Sequence, residues 1–167
     1  MPPSVQWLAL GRMVRFPETF QALLRENVST AIADTSSTTE QSYERSLKLA
    51  MAAARTANEN RGEDIAVLDM RGITPVFDYF VVVTGNSRRQ LHAISEEIDH
   101  CLEDELGDSR MGIEGYSESR WILLDYGTVV IHLFDQETRE YYALEDFWGE
   151  AQRVPLPWAD KEEPPTE

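Results

Sequence analysis

A chain of 167 residues with 42% hydrophobic content can bury one core but not two large ones. Its net charge of −15 argues against a grip on phosphate backbones, and its single cysteine excludes both an internal disulfide and a cysteine-rich zinc site. The best apolar runs, Tyr79 to Val83 and Val129 to Leu133, are strand-sized and far short of the ~18 residues of a membrane span, so a soluble protein of a reducing compartment is expected.

The first forty residues hold 3 Arg against 4 acids. Phe16, Phe20, Leu23 and Leu24 have helical spacing there, but Glu18 and Glu26 beside Arg12, Arg15 and Arg25 make a poor transit peptide. A disordered or loosely helical extension over 1–41 is expected, with a targeting segment or a partner-binding helix as alternatives, and Met13 is a second candidate start. Thr35 to Gln41, "TSSTTEQ", reads as linker. From Ser42, the spacing of Leu47, Ala50, Met51, Ala54 and Ala57 predicts a helix to about Asn60, closed by Gly62.

Glu63 to Met70 reads as a strand, Arg71 to Pro75 as a turn, and Asp78 to Gly85 as a second strand, apolar almost throughout and so covered on both faces. Asn86 or Ser87 can cap the next helix, which Leu91, Ile94, Ile98, Cys101, Leu102 and Leu106 mark out before Gly107 stops it. Met111 to Tyr116 is a short strand or its approach. Trp121 to Tyr126 and Thr128 to Phe134 form an antiparallel hairpin, and a last helix runs from about Asp135 to Leu144. The domain over 42–149 is therefore α/β or α+β, a mixed sheet of about five strands flanked by helices, and 150–167 is an acidic, Pro-rich, unstructured tail. Residues 61–150 hold 20 acids against 7 Arg and no Lys, so the charge sits on the folded part, where it favours solubility or a basic protein partner.

Chemistry is hard to find. "TGNS", Thr84 to Ser87, could hold a phosphate at a helix start, but it lacks the remaining glycines of a dinucleotide fingerprint and the Gly-Lys of a phosphate loop. Read as a nucleotidyltransferase turn, it should be followed by two carboxylates at alternate strand positions, yet the candidates pair Glu114 with Tyr116 and Asp125 with Gly127. His92, Glu96 and His100 share a helix face, but the outer two stand about 12 Å apart at ~1.5 Å per residue, so a solvated polar stripe is expected rather than a metal site. His132 lies in an apolar strand and reads as a core histidine, and Cys101 as a small hydrophobe. No catalytic residue, cofactor or metal is expected.

Three blocks in order, "DYFVVVTGNSRRQLHAISEEID", "GIEGYSESRWILLDYGTVVIHLF" and "REYYALEDFW", resemble the ribosomal silencing factor family, also called RsfS/Iojap, over Ser42 to Trp148. The resemblance implies a nucleotidyltransferase-like fold without catalytic carboxylates. It also implies a non-enzymatic factor that binds protein fourteen of the large ribosomal subunit and blocks subunit joining when nutrients run short, with a role in ribosome assembly as an alternative. Trp121 matches the family's interface tryptophan. If Ile122 and Leu124 face the core, Trp121 and Asp125 point outward with Leu123 between them, and Glu114, Tyr116, Arg120 and Tyr126 complete the expected surface. The opposite alternation, with Trp121 in the core and Tyr126 exposed, remains open on pattern alone. An exposed patch of this kind would also allow a homodimer off the ribosome. "FWGEAQ" resembles the cyanobacterial and plastid branch, so a bacterial cytoplasm is expected, with the plastid stroma as the alternative.

Overall fold

The computed structural model describes residue 21 and residues 36–159; the readings for most of the N-terminal extension and for the end of the tail lie outside these. The elements are α1 (Ser36–Glu59), β1 (Glu63–Asp69), β2 (Tyr79–Thr84), α2 (Arg88–Asp99) with a π-helical continuation His100–Glu105, β3 (Gly112–Glu114), β4 (Trp121–Asp125), β5 (Val129–Phe134), α3 (Gln136–Tyr142), α4 (Leu144–Phe147) and β6 (Gln152–Arg153). No helix among the described residues is long and apolar enough to cross a membrane.

The six strands form one mixed sheet in the order β3-β4-β5-β2-β1-β6. Only β2 and β5 pair in parallel, from Tyr79 opposite Val129 to Thr84 opposite Phe134, and every residue of both is buried. This is why both strands carry unbroken apolar runs: they are central and covered on both faces.

α1 and α2 cover the first face, over Val67, Val81, Val83, Ile122, Leu124 and Ile131. α1 presents Ala50, Ala53, Ala54 and Ala57 to the sheet, small side chains that let helix and strands approach closely. Ser46 ties it down, donating its hydroxyl to Asp78 Oδ2 at 2.6 Å and sitting 2.8 Å from Thr128 Oγ1. Burial raises the Asp78 carboxyl above its ordinary range, and the hydrogen bond from Ser46 partly offsets this. Ser87 caps α2 by accepting the Gln90 N–H.

Two expectations are corrected here. The stretch Thr35 to Gln41 is not all linker, because α1 already begins at Ser36: the Ala-rich half is anchored by packing, and helix then propagates into polar residues at small cost. Nor is the chain beyond Gly149 wholly unstructured. Gln152 and Arg153 pair with Asp69 and Leu68 as a sixth strand, Val154 N–H donates to Val67 O at 2.8 Å, and Leu156 is buried against the first face with Trp158 beside it. Leu156→Ala is expected to lower unfolding free energy by about 2 kcal/mol in a urea titration; an unstructured tail would leave stability unchanged.

Candidate protein-binding face

Strand alternation sets the site. Ile122, Leu124 and Tyr126 point to the α1/α2 face, and Trp121 and Leu123 to the opposite one, as the hairpin pattern predicts. The second face, however, is not open. After β5, Asp135 caps α3 by accepting the Thr138 N–H at 2.7 Å, and the chain turns back over the sheet. A left-handed residue, Ala143 at φ 45°, joins α3 to α4, whose Leu144 is fully buried in the second core with Phe147 and Trp148 packed against it. Arg139 locks this layer on, donating to Thr84 Oγ1 at 2.7 Å and pairing with Glu145.

Trp121 is therefore only 9% exposed, which corrects the expectation of an outward indole. Its ring lies 4.8 Å from those of Phe134 and Tyr142, and its N–H donates to His132 Nδ1 at 3.2 Å. An indole nitrogen only donates, so Nδ1 must be unprotonated and the imidazole proton sits on Nε2. His132 is fully buried, and loss of hydration pushes its pKa down to about 3, so it stays neutral.

Asp125 is buried as well, where an outward acid was expected. Its Oδ1 accepts the Gly127 N–H at 2.8 Å and its carbonyl accepts the Met111 N–H at 2.7 Å, so it shapes the hairpin turn and holds the approach to β3. Tyr126, also expected on the surface, packs into the α1/α2 core and donates its hydroxyl to Asp99 Oδ1 at 2.6 Å. Burial raises both groups above their usual values, the carboxylate adding to the rise for Tyr126.

The other three predicted residues do reach solvent to differing degrees. Glu114 is exposed on the edge strand β3, opposite Leu123. Arg120 is exposed and donates to Asp135 Oδ2 at 3.1 Å and Glu137 Oε2 at 2.6 Å. Tyr116 is half-buried, stacked on His92 with ring centroids 4.1 Å apart, and donates its hydroxyl to Glu96 Oε1 at 2.8 Å. The polar stripe on α2 is thus not simply solvated. His92 and Glu96 fasten the loop between β3 and β4, His92 Nε2 lying 2.6 Å from Ser119 Oγ and 2.9 Å from Tyr116 O. Gly115 is required in that loop, since a Cβ there would stand 2.0 Å from Trp121 O.

The pattern missed Tyr141 and Met111, which are 64% and 69% exposed. Tyr141 sits edge-on to Tyr142 with centroids 5.0 Å apart, and Tyr142 packs on Trp121. An aromatic ladder thus runs from the core at Trp121 to the surface at Tyr141. Two adjacent tyrosines in a short helix were the available signal, because helix neighbours point about 100° apart and a pair at the edge of the apolar stripe divides between core and solvent. Beside the ladder, Asn86, Ser87, Arg88, Ser119, Arg120, Asp135 and Glu137 line an open crevice of about 400 Å³. Its cations are engaged, Arg88 by Glu118 O and Arg120 by the two acids. The Asn86 N–H is taken by Gln90 Oε1, and no cluster of metal-binding side chains occurs among the described residues.

The family profile described as "Ribosomal silencing factor during starvation" matches residues 43–167. The chain belongs to the ribosomal silencing factor family. It is 47% identical over 110 residues to ribosomal silencing factor RsfS of Bacillus subtilis, an alignment spanning 66% of this chain and 90% of that one. It is also 35% identical over 92 residues to the mouse protein named mitochondrial assembly of ribosomal large subunit protein 1, spanning 54% of this chain and 40% of the mouse one. A crystal structure from Chromobacterium violaceum superposes with a TM-score of 0.60 at 32% identity, covering 66% of this chain and 91% of that one. The ribosomal silencing factor profile includes the segment that forms β6.

Because His132 binds a proton far more readily unfolded than folded, the unfolded state gains protons first on acidification. Stability is then complete above an unfolded pKa near 6.5 and falls as pH drops toward about 3. Between pH 6.5 and 5, above most carboxylates, His132→Phe is expected to flatten the dependence of unfolding free energy on pH. It should also cost about 1–3 kcal/mol at pH 7 by orphaning the Trp121 N–H.

Proposed function

We propose that this protein silences translation by docking the Trp121 end of its second sheet face on protein fourteen of the large ribosomal subunit, so that its bulk blocks the small subunit. It makes and breaks no bond. The observation that carries this reading is the aromatic ladder of Trp121, Tyr142 and Tyr141 on a chain of the silencing family. Trp121 acts as the base of the contact, Tyr141 as its exposed tip, and Glu137, Glu140 and Glu114 as a polar rim. The charge of −15 suits a basic protein patch and disfavours ribosomal RNA.

The mouse relative's name supports a second reading, in which the same surface serves assembly of the large subunit. Profiles of precursor particles in a deletion strain separate the two: assembly intermediates accumulate in rich medium only if assembly is the primary role.

Trp121→Ala alone tests the surface poorly, since opening the second core should itself cost about 3–5 kcal/mol of stability. Tyr141→Ala removes only an exposed ring. It is expected to weaken co-sedimentation with large subunits on the order of tenfold, or ~1.4 kcal/mol, with no change in melting temperature. Unchanged binding would remove Tyr141 from the contact. Nucleoside triphosphates with magnesium should leave the melting temperature unchanged; stabilisation would favour an enzyme.

A further inference from the structure

The sheet ends in two edges of different character. At one, β6 is two residues long, and after Val154 come Pro155 and Pro157, neither of which has an N–H to offer. A further strand finds little to pair with there. At the other, β3 meets β4 along one side, Gly112 opposite Asp125, Ile113 opposite Leu124 and Glu114 opposite Leu123. Backbone groups of a strand point alternately to its two sides, so the outer side of β3 keeps N–H and C=O groups that no strand meets among the described residues. Met111 to Gly115, "MGIEG", carries neither a proline nor a cation to blunt that edge.

The side chains along β3 share this openness. Ile113 packs on the first core but stays half-buried, with no strand on its outer flank among the described residues. Met111, at the entry to the strand, is 69% exposed. Glu114 lies on the second-face side of the sheet, opposite in direction to Ile113, and is exposed.

Acids bracket the edge. Just before β3 the Arg110 N–H donates to Glu103 Oε1 at 3.0 Å, and just after it the Tyr116 hydroxyl donates to Glu96 Oε1 at 2.8 Å. Both carboxylates belong to exposed residues, and Arg110, the cation beside them, is already paired with Asp99. A charge on an edge strand ordinarily turns other strands away, and Glu114 does so for any acidic one. A second copy of this chain would bring its own Glu96, Glu103 and Glu114 against the same three, on a body of charge −15. A basic segment meets no such barrier.

We propose that β3 is a docking edge for an extended, Lys- or Arg-bearing segment of another protein, which joins the sheet as a further strand. An apolar residue of that segment would lie beside Ile113 on the first face and a cation beside Glu114 on the second, so the recognised pattern alternates apolar and basic. The choice of partner rests on the ribosome-binding reading above and deepens it. The edge borders the same surface, because Glu114 stands opposite Leu123, two residues along β4 from Trp121.

Full-length protein bound to purified large subunits, pulsed with deuterium and digested, reads such pairing at the backbone. Exchange in 111–115 should slow on the order of tenfold relative to the unbound protein, while 129–134, in the centre of the sheet, is slow in both. Docking through side chains alone leaves the 111–115 amides exchanging as before. Glu114→Lys should weaken co-sedimentation on the order of tenfold without moving the melting temperature, and Glu114→Gln should weaken it less. A photoreactive phenylalanine analogue at position 111 should join to a Lys- or Arg-bearing segment of a ribosomal protein. Co-sedimentation with unchanged exchange, or adducts to RNA only, overturns the edge pairing and leaves ribosome binding standing. Absence of co-sedimentation overturns both. Slow 111–115 exchange in the unbound protein that quickens on dilution overturns the basic partner and gives the edge to a second copy.

Discussion

Trp121 gives its only polar hydrogen to a histidine that water does not reach, and this bond is possible only while His132 is neutral. The pair sits on adjacent strands of one sheet face, and the rings of Phe134 and Tyr142 close around it. A charged imidazole there would lose its hydration and the indole its acceptor together. The second core therefore depends on desolvation that it also creates: α3 and α4 exclude water from His132, and neutral His132 allows the polar edge of Trp121 to stay beneath them.

From that core the aromatic ladder carries rigidity outward. Tyr142 rests on a fixed indole, so Tyr141 is presented from a helix whose cap, at Asp135, and whose clamp, at Arg139, both tie back to the sheet. An exposed aromatic held in this way binds without the entropy loss of a loop side chain. The loop before β4 is equally constrained, by His92 under Tyr116 and by the close approach of Gly115 to Trp121. Long-range attraction from the acidic body would speed encounter with a basic partner, and its screening over roughly 8–10 Å at cellular salt leaves the short-range aromatic contact to decide affinity.

Much of this was legible from residue pattern. The unbroken runs of β2 and β5 marked central strands, the Asp125 to Gly127 bend marked a hairpin, and alternation along β4 sorted Ile122 and Leu124 from Trp121 and Leu123. Alternation says which residues share a face, not whether that face is covered. The cover over Trp121 comes from helices too short for a clear periodicity, joined through a left-handed alanine that no pattern announces. Asp125 and Tyr126 looked like surface because both are polar and stand at the bend, although Asp125 shapes the turn and Tyr126, on the face of Ile122 and Leu124, donates to an acid on α2. The strand at Gln152 was hidden because its anchoring depends on little more than Leu156 and Trp158 within a Pro-rich, polar stretch.

The central claim is that the Trp121 end of the second face meets a ribosomal protein, and a cross-link from its exposed tip tests it most directly. A photoreactive phenylalanine analogue at position 141, irradiated with purified large subunits, should yield an adduct with protein fourteen, while the same analogue at Lys48 on the opposite side yields none. Adducts from position 48 alone, or adducts from 141 to ribosomal RNA only, would contradict the account.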